Sequence, residues 1–183
     1  DRAIEEAEEL ADREEELSKV KEELAAVNRL QELNEICSWN EQAEKYGWGD
    51  GVPQDYGEAL KWYRKAADKG HAMAQLSLGA LYETGQGVPQ DHVEAARWVR
   101  KAADQGDAEA QASLGMMLAN GGGVPKDEAK ALEWYQKAAL QGHSGSQFNL
   151  GVMYANGQGV AKDTVLASVW VKLAGFADED AKR

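Results

Sequence analysis

The sequence predicts an all-α fold, an α-solenoid of antiparallel helix pairs preceded by a long acidic helix, and three observations carry that prediction. A 36-residue unit restarts at Gly51, Gly87, Gly123 and Gly159 with no insertion or deletion. Inside each unit apolar residues fall at three- and four-residue spacing, bounded by aspartates and glycines in fixed places. Residues 1–36 differ in composition and hold a charge balance of −8 out of the chain's −12. A period of this length means stacked supersecondary units, each too small to bury its own apolar face.

In chain order, residues 1–36 come first. Ile4, Ala7, Leu10, Leu17, Val20, Leu24, Val27 and Leu30 recur at helical spacing, which makes the segment one amphipathic helix. Leu17 to Val27 fits a heptad seam, and Glu14 interrupts it. Two uses of this face stay open: a cap packed on the first repeat, or a coiled coil for self-association. The Glu-rich regularity also fits an engineered fusion. Ser38 and Glu41 make a capping-box pair, which predicts a break near Ser38 and a short helix at 38–46 inside a partial repeat at 37–50.

Full repeats are expected at 51–86, 87–122 and 123–158, with a half repeat and tail at 159–183. Each begins on a Gly-Val turn that leads to Asp55, Asp91, Asp127 or Asp163, placed to accept the free amides of a first helical turn. Glu58 and Glu94 follow three residues on and complete a capping box. The first helix carries Ala59, Trp62 and Ala66 and their equivalents. It ends at Gly70, Gly106 and Gly142, where a left-handed residue is expected. Lys65, Lys101 and Lys137 occupy its last turn, favourable for the helix dipole. The second helix runs to about Thr84, Asn120 and Asn156, with Ala74, Leu78 and Leu81, then Ala110, Leu114 and Met117, turned inward. Gly79, Gly115 and Gly151 sit mid-helix, where glycine costs roughly 1 kcal/mol against alanine. That cost, repeated at one place, predicts close approach of a neighbouring helix. Residues 159–174 form a terminal helix that closes the stack, followed by a frayed acidic tail.

The pattern GV-x-x-D-x-x-x-A-x-x-W-Y/V-x-K-A-A-x-x-G, followed by A-x-x-x-LG-x-x-Y, resembles the Sel1-like repeat (SLR) family, a relative of tetratricopeptide repeats. The resemblance covers roughly residues 39–183, with Ala161 in place of the turn proline in the last unit. It implies right-handed superhelical stacking and a concave face used for protein contacts. Some cysteine-rich members are linked to β-lactam binding, but Cys37 is the only cysteine here and their paired cysteines are absent.

Partner contacts are expected where the first helix changes between repeats. These positions are Tyr56, His92 and Glu128; Lys61, Arg97 and Glu133; and Arg64, Arg100 and Gln136. The first two repeats thus present a basic strip, suited to an acidic peptide or partner loop. Trp62, Trp98, Trp134 and Trp170 share one repeat position, which predicts packing. Trp48, beside Gly47 and Gly49, is expected to cover the first repeat's end. His71 and His143 occupy equivalent places at the start of a second helix, with Asp107 between them, and are expected to serve that terminus rather than a metal.

These features exclude most chemistry. No HExxH, CxxC, GxSxG or Walker loop is present, so neither an enzyme nor a cofactor or metal site is expected. An acidic chain without clustered Lys/Arg disfavours nucleic acid, and no apolar run approaches the ~20 residues that span a bilayer. No signal peptide is visible, and periplasm, secretion and cytoplasm stay open. The expected function is a non-catalytic protein-binding scaffold or adaptor in a bacterial complex. An immunity protein neutralising a secreted toxin and an oligomerisation module acting through residues 1–36 are the alternatives.

Overall fold

A computed structural model of the chain describes the backbone of residues 2–180 and the side chains of residues 13–175. Ile4, Ala7, Leu10 and the last residues of the tail lie outside the described side chains. Among the described residues there are eight helices and no strand: α1 (Arg2–Trp48), α2 (Tyr56–Asp68), α3 (Ala72–Thr84), α4 (His92–Asp104), α5 (Ala108–Asn120), α6 (Glu128–Leu140), α7 (Ser144–Asn156) and α8 (Thr164–Asp180). The chain divides into two units, residues 1–38 and 39–183.

The first unit is helical throughout its described length. The predicted break at Ser38 does not occur, and α1 runs without interruption from Arg2 to Trp48. A capping pair starts a new helix only where the backbone turns at the cap, and here α1 runs on through Ser38 with the amides of the following turn inside the helix. Leu17, Val20, Leu24, Val27, Leu30 and Leu33 are all exposed. Lys19 pairs with Glu15 one turn earlier, at 2.6 Å.

In the second unit, the end of α1 already follows the repeat geometry. The Tyr46 carbonyl accepts the Asp55 amide at 2.9 Å, as the Tyr82 carbonyl accepts that of Asp91 and the Leu118 carbonyl that of Asp127. These bonds overturn the capping-box expectation at Glu58 and Glu94. The amide each glutamate would take is already held by a carbonyl of the preceding helix, so Glu58 turns to Lys61 and Glu94 to Arg97. The aspartate half of the motif is present. Asp55 accepts from Gly57 and Glu58 at 2.9 and 3.0 Å, and Asp163 does the same for Val165 and Leu166 at 2.9 Å.

Gly70, Gly106 and Gly142 end α2, α4 and α6 with φ of +90°, +95° and +88°. His71 and His143 then donate their amides to the Ala66 and Ala138 carbonyls at 3.1 Å, a Schellman closure. Their rings act next. Nδ1 of His71 accepts the Ala74 amide at 3.2 Å and Nδ1 of His143 accepts that of Ser146 at 3.0 Å, while Asp107 does the same for Ala110 at 2.7 Å.

Helices pack in an unbroken series, each of α2–α7 against the next and α7 against α8. Leu78, Leu114 and Leu150 stand at one repeat position with no exposed surface. Each contributes roughly 1.5–3 kcal/mol by burial. The mid-helix glycines make the stacking possible. A β-carbon on Gly79 would lie 2.7 Å from a Val99 methyl, on Gly115 2.9 Å from the Tyr135 ring, and on Gly151 2.5 Å from a Val171 methyl. Helix α8 buries Ala167 and Ala174 and leaves Val165, Leu166, Val169 and Leu173 exposed.

Three glutamines that apolar periodicity does not mark also tie the stack together. Gln75, Gln111 and Gln147 are buried, and each donates its side-chain amide to a carbonyl of the preceding helix, at Ala67, Ala103 and Ala139. Gln105 donates to Oε1 of Gln75 at 2.7 Å, and Gln141 to Oε1 of Gln111 at 2.9 Å. Their signal is recurrence: one amide at the same place in three units, inside an otherwise apolar helix.

Candidate functional site

The helices form two rows, α2/α4/α6 and α3/α5/α7, and the clefts open along the second. One cleft of about 230 Å³ is lined by Leu76 and Ala80 of α3, Val99 of α4, and Ser113, Met116 and Asn120 of α5. A second, of about 340 Å³, lies between Met116, Ala119 and Asn120 of α5 and Asn149, Val152 and Met153 of α7, with Lys126 and Glu128 at its edge. A third, of about 310 Å³, is bordered by Trp48, Tyr56, Tyr63, Ser77 and Ala80. Ala80, Met116 and Val152 stand 36 residues apart, so a single repeat position touches all three.

That position is exposed for a physical reason. One side of α3, α5 and α7 is consumed by the inward leucines and the glycines. The opposite side still carries apolar groups: Met73, Met116 and Phe148 are 54%, 53% and 53% exposed. An amphipathic helix would be polar there. The clefts differ in character, since the first has mostly apolar walls and the second adds the Lys126–Glu128 ion pair at 2.8 Å and Asn149.

Of the nine side chains expected on the first helices, Tyr56 and Glu128 reach these clefts. Tyr56 accepts from Gln54 at 2.9 Å. His92 is exposed and its Nδ1 lies 3.0 Å from Glu83. Lys61 and Arg97 are exposed beside Glu58 and Glu94, at 2.5 and 3.2 Å. The Glu58 hydrogen bond and charge push the Lys61 ammonium up from its ordinary value. Glu133 is exposed. Arg64 is drawn inward: it donates to the Tyr82 hydroxyl and lies 5.7 Å from the Trp98 ring centre. Gln136 makes the equivalent bond to the Tyr154 hydroxyl at 3.4 Å. In the middle repeat the tyrosine is replaced by Leu118, and Arg100 stays exposed, under the like charge of Lys130.

The tryptophans belong to packing. Trp98 is buried, and Trp134 and Trp170 lie against the central core. Lys101 and Lys137 cover the faces of Trp98 and Trp134 at 3.7 and 3.8 Å from the ring centres. Trp48 is 81% exposed, so it borders the third cleft without covering the repeat's end. Burial raises the phenol pKa of Tyr63 and Tyr135, which line the third and second clefts. Among the described residues no group of three His, Cys, Asp or Glu side chains is placed to hold a metal, and no helix is long and apolar enough to cross a membrane.

The repeat geometry has a family. The Sel1 repeat model matches residues 43–71, 72–107, 108–143 and 144–175, well over half of the chain, and the chain belongs to the Sel1 repeat family. The last three matched units begin on the LG-bearing helices α3, α5 and α7, and the first begins at residue 43 near the end of α1, so these are the leading helices of the family's repeat.

Solved relatives agree. A Sel1 repeat protein from Oxalobacter formigenes is 39% identical with a TM-score of 0.75, over 78% of this chain and 58% of that one. A protective antigen of uropathogenic Escherichia coli strains with an SLR fold is 36% identical with a TM-score of 0.76, over 83% of this chain and 32% of its own. Cysteine-rich protein B of Helicobacter pylori is 25% identical with a TM-score of 0.53, over 68% of this chain and 89% of its own. No curated protein sequence matches the chain. Sel1 repeats are in general protein–protein interaction scaffolds.

Proposed function

We propose that the chain is a non-catalytic adaptor that holds a segment of a partner protein along the α3/α5/α7 row. The observation that carries this reading is the position shared by Ala80, Met116 and Val152, which touches three successive clefts and is half-exposed at Met116. An apolar side chain of the partner enters the cleft between α3 and α5, and a polar or charged group meets Lys126 and Glu128 one repeat on. Exposed apolar groups rimmed by polar ones are the usual mark of a protein contact. The non-catalytic reading is supported by His71 and His143, whose Nδ1 atoms are engaged as helix caps.

Lys61, Arg97 and Arg100 on α2 and α4 are exposed and offer a second surface for an acidic loop. An immunity protein against a basic effector is the finer version that the net charge of −12 favours. The test is a partner isolated with the intact chain and rebound to variants. Met116→Glu is expected to weaken binding at least about tenfold, the scale of burying a charge in an apolar contact. Binding that survives Met116→Glu and is lost in Arg97→Ala and Arg100→Ala moves the site to α4 and sinks the groove reading.

A further inference from the structure

Apart from the groove, α1 carries an apolar face with no cover among residues 13–38. Leu17, Val20, Leu24 and Val27 are spaced three, four and three residues apart and are 54%, 53%, 59% and 48% exposed. That spacing makes Leu17 and Leu24 the a positions and Val20 and Val27 the d positions of a heptad seam. The residues flanking the seam are Glu16 and Glu23 at g, and Glu14, Lys21 and Asn28 at e.

We propose that this seam joins copies of the same chain in parallel. The charges choose both the occupant and its direction. In a parallel pair a g residue meets the e residue five places on in the other copy, so Glu16 meets Lys21 from both sides and Glu23 meets the neutral Asn28. In the antiparallel pair that keeps the same four apolar layers, Glu23 meets its own copy and Lys21 meets its own copy. Like charges then face each other twice. Lys21 also has no acidic residue three or four places away on its own helix, whereas Lys19, on the outer side, is tied to Glu15 at 2.6 Å. The one cation beside the seam is left for another chain.

Leu at a with β-branched Val at d favours bundles of more than two strands. Four layers make the association weak, and the negative excess of residues 1–36 opposes it at low ionic strength. Added salt screens that repulsion and strengthens the assembly.

The test is sedimentation equilibrium of the full chain from about 5 to 500 μM, at about 0.15 and 0.5 M salt. A concentration-dependent mass above one chain is expected, and Leu17→Glu with Leu24→Glu should return it to one chain with unchanged helical circular dichroism, because both leucines are already exposed. Glu16→Lys should weaken association about tenfold, and adding Lys21→Glu should restore it, on the scale of inverting two g–e pairs. With Cys37→Ser as background, Leu17→Cys chains should form disulfide-linked pairs on oxidation. A single-chain mass at every concentration overturns the proposal. So does a Leu17→Cys chain that crosslinks only to a Val27→Cys chain, which is the antiparallel result.

Discussion

Gly123 lies against the carbonyl group of His92, so close that a β-carbon at Gly123 would overlap that oxygen and its carbon. A β-carbon at Gly87 or Gly159 would likewise lie 2.5 Å from the carbonyl group of Tyr56 or Glu128. The turns at Gly87, Gly123 and Gly159 therefore rest on the first backbone turn of the helix one unit earlier. Gly51 shares the left-handed φ, +70° against +72° at Gly123, but has open space around it. Alanine at Gly51 should cost only the left-handed backbone penalty, about 1–2 kcal/mol. Alanine at Gly123 adds a backbone overlap and should cost about 3 kcal/mol or more. Urea unfolding of the two variants reads the difference, and equal losses would remove the contact from the account.

The buried glutamines give a second comparison within one molecule. Gln111 donates to Ala103 and accepts from Gln141, whereas Oε1 of Gln147 is buried without a partner. Gln111→Leu should destabilise by about 1–3 kcal/mol, since it strands a carbonyl and removes a cross-repeat bond. Gln147→Leu should cost less, because it also removes an unsatisfied oxygen. Thermal melts that rank the two variants the other way would contradict the ladder.

Arg64 and Arg100 occupy one repeat position and should behave differently. Arg64→Ala loses the Tyr82 bond and the contact with the Trp98 face, and a loss of about 1–2 kcal/mol is expected. Arg100→Ala removes an exposed cation and should leave stability within about 0.5 kcal/mol of the parent. Chemical denaturation of both variants decides it. Tyr82→Leu should bring Arg64 into line with Arg100.

Asp127 supplies a pH signature. The Lys130 amide, and then the Lys130 ammonium, hold its carboxyl below the ordinary aspartate value. A depressed folded-state pKa contributes stability that is present above the unfolded value and lost as pH falls through the folded one. The α6 cap should therefore weaken only in acid, below the usual carboxylate range. Asp127→Asn keeps an acceptor for the Lys130 amide and should flatten the acid limb of stability against pH. An unchanged acid limb would place the titration elsewhere.

Much of the fold was legible because its signals are local. Asp55, Asp91, Asp127, Gly70, Gly106 and Gly142 act on backbone groups within a few residues, and the mid-helix cost at Gly79, Gly115 and Gly151 pointed to a neighbour pressed against them. Misreadings came where a distant group competed. The Tyr46 and Tyr82 carbonyls took the amides expected to bond Glu58 and Glu94, and Ser38 caps nothing because α1 does not turn there. The clefts were less visible still. Which side of a helix faces an opening depends on how neighbours stack, so Met116 reads as one more apolar residue until α3, α5 and α7 are placed side by side. Arg64 and Arg100 look alike in sequence, and only the Tyr82-to-Leu118 exchange eighteen residues on separates them.

The seat of each turn glycine on the helix one unit back also sets how such a chain changes over generations. A stretch gained or lost between a turn glycine and its seat, as between Glu128 and Gly159, lifts that glycine off its seat, while duplication of a whole unit leaves each seat intact. The reach of the groove is therefore inherited in whole units, and single-residue variation is left to tune what Ala80, Met116 and Val152 present along it.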